Sequence, residues 1–199
     1  LVQILQRSTN DEFIKDKLEL VKNQINRITK IIRELVDFSR PSPHIEKDVN
    51  INNVVKEALN IVQYGKKVKN ITFKISLEEE LPQVSVVSDQ LVQVFLNILM
   101  NAVDACEETP ATISITTVKN RETVDIIMED TGSGIAEHQL SKIFDPFFTT
   151  KEAGRGTGLG LWVSLGIVKN FGGDIHVESE LGQGTKFVVS LPMKGVHNG

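Results

Sequence analysis

A chain of 199 residues with 40% hydrophobic and 24% charged side chains has a globular composition, with room for one ordinary domain plus an extra element. The formal net charge of −4, with no basic stripe, argues against a nucleic-acid partner. A single cysteine, Cys106, excludes a disulfide framework and points to a reducing, cytoplasmic compartment. No apolar run nears the ~20 residues of a membrane helix, so no direct membrane contact is expected here, whether or not the full-length protein is membrane-attached. No signal peptide is visible, and the chain opens mid-pattern at Leu1 without a Met, which reads as a fragment.

Leu1 to Arg7 reads as the tail of a helix, followed by a Ser-Thr-Asn turn. From Asp11 to Phe38 there is no Gly or Pro, and Ile14, Leu18, Val21, Ile25, Ile28, Ile32 and Leu35 recur at steps of 4-3-4-3-4-3. That spacing is the a/d seam of a coiled coil or bundle helix. Asn10 or Asp11 is positioned to cap it. Ile31, Val36 and Phe38 widen the stripe, which suits a multi-helix bundle. A hairpin this short cannot bury such a face alone, so a homodimer through residues 1–40 is expected, the alternative being packing onto its own domain. Arg40-Pro-Ser-Pro43 stops the helix, because proline lacks a donor and restricts the residue before it. The expected domains are therefore a helical arm, 1–43, and a second domain, 44–199.

In the second domain Ile45 to Val49 suggests a short strand, and Asn50 can cap a helix from about Ile51 to Gln63. Ile71 to Leu77 alternates as a half-buried strand, and Glu78 to Pro82 is an acidic turn. Ser88 or Asp89 is expected to cap a helix of about Gln90 to Glu107. Its apolar face holds Leu91, Val94, Phe95, Ile98, Leu99, Ala102 and Val103, while Gln93, Asn97, Asn101 and Asp104 form a polar stripe. Neither Lys, Arg nor Glu occurs from Gln90 to Cys106, and neutral amides are poor helix formers. Such a row suits oxygen atoms aimed at a ligand such as Mg²⁺; a buried amide network between helix and sheet is the other reading.

Thr112 to Val118 and Thr123 to Glu129 alternate as a β-hairpin. The second run leads into Asp130-Thr-Gly-Ser-Gly-Ile135, where a carboxylate at a strand end can accept from an exocyclic amine while glycines admit a flat ring; an ordinary Asp-Gly turn is the plainer reading. Ala136 to Ile143 suggests a short helix. Gly154, Gly156, Gly158 and Gly160 then alternate before an apolar helical segment, Leu159 to Phe171. Glycines expose bare amides, and a helix start adds free N–H groups and a positive dipole end, with Lys151 and Arg155 alongside. The loop is neither a P-loop nor a Rossmann fingerprint, and alone it divides evenly between a phosphate site and a linker. Asp174 to Glu178 and Thr185 to Leu191 close the chain as strands around Gly182 and Gly184.

Taken in order, Asn97-Ile-Leu-Met-Asn-Ala-Val-Asp-Ala105, Asp130-Thr-Gly-Ser-Gly134, Phe144-Asp-Pro-Phe-Phe148, Gly154-Arg-Gly-Thr-Gly-Leu-Gly160 and Gly182-Gln-Gly-Thr185 resemble the asparagine, phenylalanine and three glycine boxes of sensor histidine kinases. Phe-Phe-Thr-Thr-Lys151 is most similar to the nitrogen-regulation type, and Asp37-Phe-Ser-Arg-Pro41 to the end of that family's dimerisation hairpin. The resemblance implies an α/β fold: a helical hairpin, then a two-layer α/β sandwich whose mixed sheet is covered by three helices, the Bergerat-type ATP-binding fold. It implies ATP and Mg²⁺ as cofactors, with Asn101 on the metal and Asn97 on the phosphate side. Asp130 would accept from the adenine amine, helped by Thr185, in a pocket shaped by Gly132 and Gly134. Phe144 to Arg155 would form a lid anchored by Phe147 and Phe148, and amides around Gly156, Gly158 and Gly160 would meet the phosphates. Asp104, Ile135, Phe144, Thr149, Thr150, Thr157, Leu159 and Leu161 complete the implied nucleotide contacts, and Asn97, Asn101 and Lys151 the implied catalytic set. The implied partners are a second copy and a response-regulator receiver domain.

The implied chemistry is transfer of the ATP γ-phosphoryl group to a histidine, then to an aspartate of the regulator. None of His44, His138, His176 and His197 has the acid and proline that flank the family's acceptor. The expectation is therefore ATP–Mg²⁺ binding without autophosphorylation at the usual site. A conformationally coupled ATPase, a non-catalytic partner-binding module and an anti-sigma-type serine kinase are the competing readings. The first is disfavoured by Asn97 standing where such ATPases carry an acid, the last by the long heptad arm.

Overall fold

The computed structural model describes residues 5, 11–39, 46–65, 68–106, 110–151 and 156–193, with backbone alone for 26–27, 30–31 and 33–39. The chain divides into two compact units, Leu1–Ser42 with Asp145–Leu159, and Pro43–Phe144 with Gly160–Gly199.

Helix α1 of the first unit runs Glu12–Ser39. Asp11 caps it, its Oδ1 accepting the N–H of Phe13 at 2.9 Å and of Ile14 at 3.4 Å. Of the expected seam, Ile14, Val21, Ile25, Ile28 and Ile32 are between 44 and 54% exposed, so this chain alone leaves that face to water. Asn10, the Leu1–Arg7 segment apart from helical Leu5, and the side chains of Ile31, Leu35, Val36 and Phe38 lie outside the described residues.

The second unit is a mixed sheet with helices on one face. Strands β1 (Lys47–Val49) and β3 (Val84–Val86) form a small antiparallel pair. The main sheet has the order β2 (Ile71–Leu77), β4 (Ala111–Lys119), β5 (Thr123–Asp130), β7 (Gly184–Pro192), β6 (Asp174–Glu180). In this sheet β2 and β4 run parallel, the chain returning in the same direction after a long excursion through β3 and a helix; tight turns join the antiparallel neighbours β4 and β5 and β6 and β7, while β5 pairs antiparallel with β7 across the long intervening stretch 131–183. Alternate residues of the central strands, among them Ile113, Ile115, Val124, Ile126, Phe187, Val189 and Leu191, are buried.

Helices α2 (Ile51–Gln63), α3 (Ser88–Ala105) and α5 (Gly160–Asn170) cover that face, with the short α4 (Glu137–Leu140) beside β6. Helix α3 is central, packing on both α2 and α5 and lying over β5 and β7. Every residue of its expected apolar face is buried. Leu91, Phe95, Ile98 and Leu99 alone each contribute about 1.5–3 kcal/mol by leaving water.

Helix α2 begins as expected: Asn50 has an extended backbone and its side chain accepts the N–H of Asn52 at 2.9 Å. Helix α3 does not. Its N-cap is Val87, which supplies no side-chain hydrogen bond, and Ser88 and Asp89 are already helical. Asp89 instead places negative charge in the first turn, where the dipole favours it. The helix closes at Ala105 with Cys106 as C-cap, and Glu107 lies outside the described residues. The helix expected over Ala136–Ile143 is confined to Glu137–Leu140 and relaxes into turn thereafter.

Candidate nucleotide-binding site

Asp130 ends β5, and strand register sets its neighbours. Ile113, Asp130, Thr185 and Ser179 stand side by side across β4, β5, β7 and β6, so their side chains share the helix-covered face. Asp130 and Thr185 are each only 5% exposed. The Gly132 N–H donates to Asp130 Oδ1 at 2.8 Å, and the Thr185 backbone N–H favours the same carboxylate electrostatically. Burial still raises the Asp130 pKa above its ordinary value, with Glu129 adding repulsion and the two N–H donors pulling it back. Cys106 lies near enough to feel that charge: burial first, then Asp130, pushes its thiol up to about 11, which leaves it unreactive.

The turn after Asp130 is wedged between the end of α3 and the β6–β7 turn. Ser133 N–H donates to the Ala105 carbonyl at 3.0 Å, Gly182 N–H donates to the Ser133 carbonyl at 2.8 Å, and Ile135 N–H donates to Ser179 Oγ at 2.8 Å. A Cβ at Gly132 would stand 2.7 Å from the Ala105 carbonyl oxygen; one at Gly134, which has φ +67°, would stand 2.0 Å from that of Glu180. Backbone packing thus already demands both glycines.

The polar stripe of α3 is half-buried at Gln93, Asn97, Asn101 and Asp104. Asn97 Nδ2 donates to the Gly160 carbonyl and to Ser164 Oγ, both at 3.1 Å, and Ser164, fully buried, donates to the Gly160 carbonyl at 2.8 Å. One amide of the row therefore clamps α3 to the first turn of α5. This resembles the buried amide network that the row also allowed, here between two helices. With its N–H groups so engaged, Asn97 has Oδ1 left to present. Along α3, Asn101 lies one turn, about 6 Å, before Ala105, and Asn97 about 12 Å before it. The buried carboxylate, the amide row and the start of α5 therefore follow one another along one helix.

Residues Asp145–Leu159 belong to the first unit. Phe147 N–H donates to the Gly158 carbonyl at 2.9 Å, and a Cβ on Gly156 would stand 2.7 Å from Thr149 Oγ1, so the segment is drawn together at its neck. Gly158 takes a positive φ of +71°, and Phe147 adopts +69° as well. Phe147 is 59% exposed, whereas Phe148 is half-buried. Thr149 and Lys151 are half-buried, Thr150 is exposed, and Thr157 and Leu159 are buried. Phe144, Ile135 and Leu161, all half-buried, belong to the other unit. Gly154 and Arg155 lie outside the described residues, as do His44 and His197; His138 and His176 are exposed.

Sequence reasoning missed Ser164 and Ser179, which hold Asn97 and the Asp130 turn. An open depression of about 450 Å³ between α2 and β2, lined by Asn50, Asn52 and Lys56 among others, contains none of the expected site residues. Its Asn50 and Asn52 are engaged in capping α2 and in binding the Glu78 carbonyl.

A mixed-sheet sandwich with a buried strand-end carboxylate and an amide-bearing central helix defines the ATP-binding α/β class. The chain belongs to the Histidine kinase-, DNA gyrase B-, and HSP90-like ATPase family, whose pattern matches residues 86–195, more than half its length. It is 39% identical over 193 residues to the signal transduction histidine-protein kinase AtoS of Escherichia coli (strain K12), covering 96% of this chain and 31% of that protein. The solved catalytic domain of histidine kinase ThkA is 31% identical with a TM-score of 0.65, covering 74% of this chain and 95% of that one. ThkA in complex with response regulator protein TrrA matches at a TM-score of 0.72 and 24% identity, over 96% of this chain and 55% of that one, a likeness of fold. The chain spans about a third of the length of the curated relatives it matches.

Proposed function

We propose that this chain is the ATP–Mg²⁺-binding catalytic part of a sensor histidine kinase, with residues 1–43 the dimerisation arm and 44–199 the catalytic domain. The observation that carries the reading is Asp130: a carboxylate buried to 5% exposure and held by the Gly132 N–H, at the base of the amide row. A buried acceptor of this kind suits a 6-amino purine, whose exocyclic N–H supplies the missing donor. Thr185 completes the base end, and Gly132, Gly134 and Ile135 its walls.

The donor set suits Mg²⁺. Among the described residues no cluster of three His, Cys, Asp or Glu could hold a metal unaided. Neutral amide oxygens fit an ion that keeps waters and borrows substrate phosphate oxygens. Asn101 is the proposed ligand, and the ion when bound neutralises charge on the phosphates. Asn97, oriented by Gly160 and Ser164, faces the phosphate side, and the start of α5 offers its amides to the anion. The family pattern assigns Phe144 to Arg155 to an ATP lid, with Lys151 and Arg155 as its cations, and the amides around Gly156, Gly158 and Gly160 to the phosphates. Catalysis of this kind is positioning and charge neutralisation, so the domain needs no nucleophile of its own. The acceptor is a histidine on a dimerisation hairpin, a step that the histidine-kinase relatives support, with relay to a response-regulator receiver domain. Asn97, a neutral amide with its N–H groups engaged, is a poor general base, so hydrolysis is slow.

The test is to mix the chain with ATP, Mg²⁺ and a separately made acceptor hairpin. Acid-labile phosphohistidine on the hairpin, lost in Asn101→Ala, is the expected result. Rapid phosphate release with no phosphohistidine would favour a coupled ATPase instead.

A further inference from the structure

Ser179 lies outside every motif of the site, yet three of its neighbours belong to it. Its Oγ accepts the Ile135 N–H at 2.8 Å, donates to the Gly184 carbonyl at 2.7 Å, and stands 3.0 Å from Thr185 Oγ1. A serine hydroxyl has one proton. A carbonyl has none to give, so that proton goes to Gly184, and the contact with Thr185 must use the Thr185 proton. Thr185 Oγ1 is then left with lone pairs alone. Thr185 is also the register partner of Asp130, whose ionised carboxylate is likewise an acceptor only.

We propose that Ser179 is a specificity-determining positioning residue: by drawing off the hydroxyl proton of Thr185, it makes the base end of the site a pair of acceptors. The inference rests on the reading of Asp130 and Thr185 as the base site and deepens it. A 6-amino purine offers N–H donors to two acceptors. A 6-oxo purine presents an oxygen to them, and lone pairs then face lone pairs at two groups that are each only 5% exposed. Without Ser179, the Thr185 hydroxyl can turn its proton toward that oxygen, and discrimination relaxes. A site whose polar groups go unpaired with the wrong ligand discriminates far more strongly than one that relies on shape.

The experiment is calorimetric titration of ADP and GDP into the parent chain, Ser179→Ala, Ser179→Thr, Thr185→Val and the Ser179→Ala/Thr185→Val double variant. The expected parent prefers ADP strongly. Ser179→Ala lowers the ADP/GDP preference about tenfold, the worth of one hydrogen bond, and Ser179→Thr, which keeps the hydroxyl, restores it. In the Thr185→Val background Ser179→Ala leaves the preference unchanged, because the proton it controlled is gone. A loss of melting temperature in Ser179→Ala with an unaltered preference would reduce Ser179 to a structural tie and overturn the proposal, as would an equal loss of preference in the Thr185→Val background. If Ser179→Ala does not fold, Ser179→Cys keeps a weak donor and acceptor in place and must still lower the preference; no change there overturns the proposal too. A parent that does not discriminate, or binds neither nucleotide, overturns the base site itself, and is distinguished by being seen before any variant is made.

Discussion

At Asp130 the interests of folding and binding oppose each other. Its folded pKa is raised, with burial the leading cause, so ionisation costs more in the folded state than in the unfolded one. Stability from this group is fully present below the unfolded pKa and is lost as pH rises through the folded one. At neutral pH the ionised carboxylate therefore destabilises the empty protein. Asp130→Asn should raise the melting temperature at pH 7 while weakening adenine-nucleotide binding by about 1.5–3 kcal/mol, the worth of a hydrogen bond to a charged group. Parent affinity should also fall on acidification through the raised pKa, and the Asn variant should lack that component; a lowered melting temperature would contradict the argument. The glycines around Asp130 give a graded test. Gly182 has φ +80° and empty space beyond, so Gly182→Ala should cost about 1–2 kcal/mol of backbone strain alone. A Cβ at Gly184, φ +112°, would fall 1.9 Å from the Asp130 carbonyl oxygen, and the backbone must move to admit it. Gly184→Ala should therefore destabilise by more than about 3 kcal/mol in urea melts, well beyond strain of the kind expected at Gly182. Equal losses at both positions would refute the packing account.

Helix α2 shows what a single cap contributes. Asn50 satisfies the Asn52 N–H, and the Asn52 side chain spans to the Glu78 carbonyl at 2.7 Å and receives the Thr117 hydroxyl at 2.8 Å. Asn50→Ala should lower stability by about 1 kcal/mol, seen as a lower urea midpoint with an unchanged m value, and should leave nucleotide affinity alone. Elements of this kind were legible in the sequence because their signals are local. Asn50 precedes an apolar period, Ile71 to Leu77 alternates, and glycines mark the turn into β7. Strand β3 was not legible, since three residues are too few to establish a period. The start of α3 misled because Ser88 and Asp89 both look like caps, whereas β3 runs almost directly into the helix and leaves Val87 at the junction. For the site, Asn97, Asp130 and Thr185 could be picked out because each stands in a recognisable box. Ser164 and Ser179 could not: their partners Asn97 and Ile135 lie 67 and 44 residues away, and a lone serine in an apolar helix or an edge strand carries no sign of what folding will bring to it.

For the molecule as a whole, the unmet demand is the seam of α1. Ile14, Val21, Ile25, Ile28 and Ile32 keep 44 to 54% of their surface exposed, in a helix that a single chain cannot bury. Water tolerates isolated apolar side chains, but a row at heptad spacing is a surface that associates. In the proposed dimer these residues meet their counterparts in a second copy, and the arm becomes stable only when paired. Replacing Ile25 and Ile32 with Glu removes two apolar side chains from each helix and sets like charges across the seam. At about 1.5 kcal/mol for each buried side chain, the loss per dimer is on the order of 5 kcal/mol, enough to weaken association more than a thousandfold. Sedimentation should then show a dimer for the parent and a monomer for the variant at the same micromolar concentration. Recognition of the adenine base should hold, because Asp130 and Thr185 belong to the other compact unit. Phosphoryl transfer to a hairpin supplied in trans should fall with the dimer, since the acceptor is presented by a paired bundle. A parent that sediments as a monomer at every concentration would leave the apolar seam to another partner and remove the dimer from the proposed mechanism.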